Sequence, residues 1–577
     1  MGYAHAYANA VMQRGRVPME PADFVPDWAD RPRKGKFYPR AEHFPLPDSD
    51  APAGATVQDG LFGPPGDGGF TPALLGGMLQ DSYGLTGRRL AVHANSDLGT
   101  LPLYTHANWS RGTASGGGLY PIGIHWVAGP SGPLTPGVYH YATPHHSMQR
   151  LLAGDVSAEV RAALGGGADR GPGAPPHDQE TDQFLVLGVK FWQNAFKYNS
   201  FAYHVVTMDI GALLGTWRLW ARARGLEVRP VMWFDEARIG QLLGLSPEEE
   251  GVFAVVPLRW QRPAAEPGEP GEPVAGPGTG GATAPAPAPT PATAPAPAPA
   301  PAPAPGRAGG EARVRLKEQE KSRRVLGFET VRRIHAATLT GAADRPPADA
   351  LARALDRPAA PAAPAGGEPV PLPRPDRLAL GVREALRARR SSFGRFTATV
   401  PVRAGELAAA LAAAAAGGDL GSDAQTPGGP PLTSLYVFVN RIEGVPAGTY
   451  AYDGPTGALR PLKPGPPGAF LQENYFLSNY NLEQAGAVIV PAAPTAAVLD
   501  AVGDRGLRLV NATVGAISQA VYTACAALHL ACGVALGFDC VSYAEELGLD
   551  GPGETPLLIM MIGHERPHPA DFSHAIA

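Results

Sequence analysis

The sequence predicts an α+β fold present twice in one chain, and three observations point to it. Two stretches recur in the same order in each half. GVYHYATPHHSMQRL (residues 137–151) returns as GTYAYDGPTGALRPL (448–462), and FDEARIGQLLGL (234–245) returns as FDCVSYAEELGL (538–549). Ahead of each second stretch lies a long apolar segment of helical character, MDIGALLGTWRLWARARGL (208–226) and LVNATVGAISQAVYTACAALHLACG (509–533). Between the halves, residues 262–310 turn into Pro, Ala and Gly, which cannot bury a core and favour an extended spacer. The expected organisation is an N-terminal domain over 1–261, a linker over 262–310 and a C-terminal domain over 311–577.

Each copy opens its sheet with a strand behind a proline (Pro121, Pro431) and a Gly-x-Tyr-x-Tyr hairpin. Each closes it with an apolar strand, GVFAVVPLRW (251–260) or PLLIMMIGH (556–564). The small residues of the long helices predict close helix packing at a seam between copies. A second Pro/Ala-rich patch covers 357–375. Between the two patches, residues 313–339 have helical spacing, and KEQEKSRR (317–324) reads as a solvated helix face.

Composition narrows the function. The 577 residues carry 48 Lys and Arg against 53 Asp and Glu, a net charge of −5, which argues against a nucleic-acid partner. No apolar run reaches membrane-span length, and the first residues lack the apolar core of a signal peptide. Cys525, Cys532 and Cys540 are odd in number and form no CxxC pair. They predict reduced thiols, no metal site and a cytoplasmic location.

Two short stretches carry chemistry. RARRSSFGRF (387–396) ends a helix-forming segment and places Arg389, Arg390, Ser391 and Ser392 together. Guanidinium forks and hydroxyls suit a phosphate, although a basic helix C-terminus has the same composition. TASGGGLYP (113–121) runs three glycines into a strand, a backbone that can approach a flat ligand closely or simply turn. His145 and His146 fall in the hairpin turn and read as solvent-facing.

Read in order, these motifs resemble the flavin-dependent nitroreductase fold. The lead DWADRPRKGKFYPRAEHFPLP (27–47), the loop SGGGLYP and the segment FKYNSFAYHVVTMDIG (196–211) narrow the resemblance to the SagB-type azoline dehydrogenases of thiazole- and oxazole-modified peptide pathways. That resemblance implies FMN at the interface of two copies, here an intrachain pseudo-dimer. Its phosphate would be held by Arg389, Arg390, Ser391 and Ser392, and its ring would face Thr113, Ser115, Gly116 and Gly117. Gly537, Phe538 and Arg566 are further candidate contacts. The resemblance also implies catalysis by Lys197 and Tyr198, with the tyrosine as base. The expected reaction oxidises thiazoline or oxazoline rings of a precursor peptide, with O2 reoxidising the flavin. A cyclodehydratase complex is a possible partner.

The motifs are divided between the copies. The N-terminal half has the glycine loop but DAPAGATVQDG (50–60) in place of an Arg-Ser motif. The C-terminal half has the Arg-Ser motif but AQTPGGPP (424–431) in place of the loop, with Gln425 where Ser115 would align. One flavin site per chain is the expectation. An NAD(P)H-dependent nitro- or quinone reductase and a flavin-free scaffold are the alternatives.

Overall fold

The computed structural model describes residues 2–48, 54–92, 104–165, 181–261, 312–347, 349–356, 367–425, 428–551, 553–566 and 573–576. Met1–Gln261 and Arg313–Ala577 fold together as one compact unit. The Pro/Ala tract of 262–310 and the patch at 357–366 lie outside the described residues.

Alternating apolar strands build two antiparallel sheets of matching order. In the first, the strands run His43–Pro45, Ser147–Ala153, Gly137–Ala142, Ile122–Ala128, Gln183–Lys190, Glu250–Pro257. In the second, the corresponding path is Val370–Pro371, Ala458–Pro464, Gly448–Asp453, Ser434–Val439, Ala487–Ala493, Ile559–Glu565. The repeated Phe-Asp…Leu-Gly-Leu stretch now has a physical reason. Asp235 and Asp539 accept backbone N–H groups as helix N-caps, and Gly244 and Gly548 take φ of +66° and +67° just past the helices they end.

The two long helices, Ala202–Arg222 and Gly506–Ala527, are almost wholly buried and pack on each other. A Cβ on Gly211 would come within 1.8 Å of the Ala512 carbonyl oxygen, and one on Gly515 within 2.0 Å of that of Met208. Each glycine therefore admits the other helix's backbone, and the two contacts are reciprocal, as at a two-fold interface. A second reciprocal pair joins the halves. The Val57 N–H donates to the Leu380 carbonyl and the Val382 N–H to the Ala55 carbonyl, both at 2.9 Å.

Near the N-terminal ends of the long helices, a buried ion cluster spans the seam. Arg505 and Arg508 each place Nη1 2.8 Å from a Glu236 carboxylate oxygen. Burial alone would raise the Glu236 carboxyl, but Arg508 and Arg505 outweigh it and hold it at about 2. Arg508 also donates to the Tyr203 hydroxyl and the Thr338 hydroxyl, so the charges are hydrogen-bonded as well as paired.

Three sequence expectations change. The segment 509–533 is not helical to its end: the helix stops at Ala527, and Ala531–Ala535 is a strand paired with Ile559–Glu565. Residues 317–324 are not a helix face; helix begins only at Glu329. Glu318 and Glu320 instead bind Lys190 on the N-terminal sheet. His146 is half-buried, with φ of +43° and its Nδ1 3.0 Å from the Tyr141 hydroxyl, whereas His145 is exposed. The three cysteines are free and buried.

Candidate functional site

The glycine loop is positioned by an acid inside the first long helix. Asp209 accepts the Ser115 hydroxyl at 2.7 Å and the Gly116 N–H at 2.8 Å, and Ser115 Oγ in turn accepts the Tyr120 N–H. Gly117 takes φ of +62°, which glycine adopts at least cost. A Cβ there would sit 2.6 Å from Tyr198 Oη and 2.8 Å from Lys197 Nζ. The loop and the Lys-Tyr pair, distant in sequence, therefore meet, and the missing side chain is what makes room for them.

The C-terminal half supplies the other wall. The Gln519 side chain from the second long helix accepts the Ala114 N–H at 2.9 Å and donates to the Gly112 carbonyl. Arg389 donates to the carbonyls of Gly112 and Arg111, and its guanidinium lies 5.1 Å from the Tyr522 ring centre. The Ser391 hydroxyl is 2.8 Å from the Tyr522 hydroxyl. Arg390 is paired with Glu565.

A third arginine joins from the N-terminal half. Arg89 lies on a strand that pairs with Ser573–Ala575, which helps place it. Removal from water lowers the Arg89 guanidinium, and the like charges of Arg389 and Arg390 lower it further. Among the described residues no carboxylate lies within ion-pair distance of Arg89. Clustered cations of this kind are the electrostatic complement of a dianionic phosphate.

The remaining expected site residues are spent differently. Thr113 is fully buried, with its hydroxyl donating to that of Thr216. Ser392 is buried and exchanges two hydrogen bonds with Cys532, one through its N–H and one through its hydroxyl. Phe538 packs in the core against Tyr543, while the Gly537 carbonyl accepts the Phe476 N–H. Arg566 donates to the Gly394 carbonyl and its N–H to that of Arg395, so it buttresses the turn after Ser392.

Arg89, Gln519 and Tyr522 are not singled out by the sequence, and Asp209 lies in the 196–211 segment that carries the resemblance without being given a role there. An acid within an apolar helix is a visible signal for Asp209; the others sit in stretches with no motif. Burial raises the Asp209 carboxyl to about 7 against the lowering effect of Ser115 and Gly116. A folded-state value above the unfolded 3.8 means that the protonated form is favoured by folding. The associated stability is present below about pH 4 and is lost as pH rises through 7, on the order of 4 kcal/mol in all. The melting temperature of the wild type minus that of Asp209→Asn is therefore expected to fall between pH 4 and 8. A flat difference would show that Asp209 does not titrate in this range.

The symmetry-related place is built differently. Counted on from the reciprocal pair Val57 and Val382, Pro64 and Pro65 hold the sequence positions that correspond to Arg389 and Arg390. Gln425 is taken up within its own loop, accepting the Leu420 N–H and donating to the Gly418 carbonyl. Arg218 pairs with Asp419 beside that loop. Thr426 and Pro427 lie outside the described residues.

Residues 386–564 match the model of the Nitroreductase family and form a nitroreductase-family domain. Among solved structures, a protein of Anabaena variabilis described as a candidate nitroreductase matches 98% of this chain and 100% of its own. Its identity is 19% and its TM-score 0.66. A candidate nitroreductase of Ralstonia eutropha covers 36% of this chain and 95% of its own, at 24% identity and a TM-score of 0.29. A chain of the E. coli microcin synthetase McbBCD complex with truncated pro-MccB17 covers 33% of this chain and 64% of its own, at 18% identity and a TM-score of 0.24. No curated protein matches the sequence. The fold of this chain is thus that of the nitroreductases. Among the described residues no helix is long and apolar enough to cross a membrane, and no cluster of metal-ligating side chains occurs.

Proposed function

We propose that this chain is an FMN-dependent dehydrogenase that oxidises azoline rings in a peptide, built as a tandem pseudo-dimer with one active site. The observation that carries this reading is the meeting of Gly117 with Lys197 Nζ and Tyr198 Oη beside a segment held by Arg389 of the other half. The residues fit FMN. Arg89, Arg389, Arg390 and Ser391 would hold its phosphate, and the Ser115–Gly117 backbone would lie against its ring. When bound, FMN supplies a two-electron acceptor.

The chain's own contribution is proton transfer and positioning. Aromatising an azoline removes a proton from one ring carbon and a hydride from its neighbour. Tyr198 Oη takes the proton, with Lys197 Nζ beside it, 4.8 Å from the tyrosine ring centre. Asp209 keeps the loop in register with both.

The test is incubation of the purified protein with an azoline-containing peptide in air. Loss of two hydrogens per ring by mass spectrometry, without NAD(P)H, is the expected outcome. A strict need for NAD(P)H and turnover of nitroarenes or quinones would assign a reductase instead. Flavin stoichiometry tests the architecture: absorbance against protein concentration is expected to saturate at one FMN per chain, because Pro64 and Pro65 offer a second phosphate no charge. Saturation at two would refute the single site.

A further inference from the structure

Two basic runs far apart in sequence are sewn together beside the candidate site. The first is RPRK, residues 31–34; the second is KSRR, residues 321–324. Asp30 joins them: its carboxylate accepts the Arg323 N–H at 2.7 Å and the Arg324 N–H at 2.9 Å, and its carbonyl accepts the Ser322 hydroxyl. These bonds use backbone and serine atoms, so the side chains of Arg31, Arg33, Lys34, Lys321, Arg323 and Arg324 remain exposed.

Asp30 is the acid nearest the runs, held below its usual range by the Arg323 and Arg324 N–H groups and by the charges of Arg323 and Lys321; the other neighbouring acids are committed elsewhere. Glu318 and Glu320, which balance the second run in the sequence, are committed to Lys190. Glu250 is committed to Lys36. Among the described residues none of the six exposed cations is paired with a carboxylate. Partial removal from water lowers Lys34 to about 8, and the adjacent charges of Arg111, Arg31 and Lys197 contribute. This local excess stands on a chain whose net charge is −5.

Both runs are anchored on the helix that ends in Lys197 and Tyr198. Trp192 Nε1 donates to Ser322 Oγ at 3.0 Å, and Gln193 Nε2 donates to the Arg33 carbonyl at 3.2 Å. Trp28, just upstream, packs edge-on against Phe196 of the same helix, with Lys197 Nζ 6.0 Å from its ring centre. It remains 51% exposed, a large apolar face left open beside the cations.

We propose that this composite patch is a docking surface for an acidic polypeptide segment, which it holds while a neighbouring residue of the same peptide enters the Lys197–Tyr198 site. Carboxylates of the peptide pair with the two basic runs, and an apolar side chain covers Trp28. The assignment of the bound peptide as substrate rests on the function proposed above; the docking itself does not. A polypeptide suits the patch because it supplies both the carboxylates for the cations and an apolar side chain for Trp28.

The test is fluorescence anisotropy with the full chain and a labelled peptide of alternating Glu and Ala, about twelve residues long. The Glu peptide is expected to bind and to weaken at high salt. The same peptide with Gln for Glu is expected to bind at least about tenfold more weakly. Arg323→Glu/Arg324→Glu and Arg31→Glu/Arg33→Glu are each expected to weaken the Glu peptide about tenfold or more. Arg353→Glu/Arg403→Glu, an equal charge change elsewhere, should not. Circular dichroism melting confirms that the variants are folded. Equal binding of the Glu peptide by all variants overturns the proposal. So does tighter binding of single-stranded DNA or phosphatidylserine vesicles that the same substitutions abolish. A chain that binds the Glu peptide but loads no FMN would overturn the enzymatic reading and leave the docking surface standing.

Discussion

Arg390→Ala is expected to lower FMN affinity by about ten- to a hundredfold and to yield a protein purified nearly colourless. A hydrogen bond between charged groups is worth roughly 1.5–3 kcal/mol, and each 1.4 kcal/mol is a factor of ten. Arg390 is the better probe of the pair, because Arg389 also donates to the carbonyls of Gly112 and Arg111 and its loss would loosen the loop itself. Removing Arg390 leaves Glu565 with Arg395 Nη2 3.8 Å away, so the carboxylate is not stranded. The measurement is flavin released by heat per chain, with fluorescence titration of the stripped protein. Gln425→Ala, at the symmetry-related loop, should retain wild-type flavin content. Equal flavin in wild type and Arg390→Ala would place the phosphate elsewhere.

Lys197→Ala and Tyr198→Phe are expected to reduce azoline oxidation by about 10²–10⁴-fold, the usual cost of losing a proton-transfer group. Flavin content should change little, because the phosphate cluster belongs to other elements. Tyr198→Phe removes one oxygen from a half-buried ring and keeps its contact with Phe201. The decisive comparison is single-turnover oxidation at matched flavin occupancy. Near wild-type rates in both variants would move the base to another residue.

Asp235 and Asp539 show what is legible in the sequence. Their Phe-Asp…Leu-Gly-Leu stretches encode a helix start and stop locally, so the duplicated pattern can be read without knowing the fold. The same holds for the hairpins, the apolar strands and most of the long helices. The far end of the second helix is not legible in this way. After Ala527, Leu528, Leu530 and the small apolar residues that follow are interrupted only by His529, whose φ of +56° ends the helix, and an apolar run of this kind suits a buried helix turn as well as a buried strand.

By itself the sequence determined the mix of helices and strands, the stretches that recur in the same order, and the presence of one Arg-Ser motif and one glycine loop. Those are local or periodic properties, fixed by backbone preferences and by side chains close in sequence. Only the tertiary structure decided that Arg89 stands with Arg389 and Arg390, that Asp209 grips the loop, and that Gly117 opens space for Lys197 and Tyr198. It also showed that Glu318 and Glu320 serve Lys190 rather than the KSRR run. Each of these joins residues from separate elements, and a charge pairs with its neighbour in space, whose identity is set by packing and desolvation rather than by order along the chain.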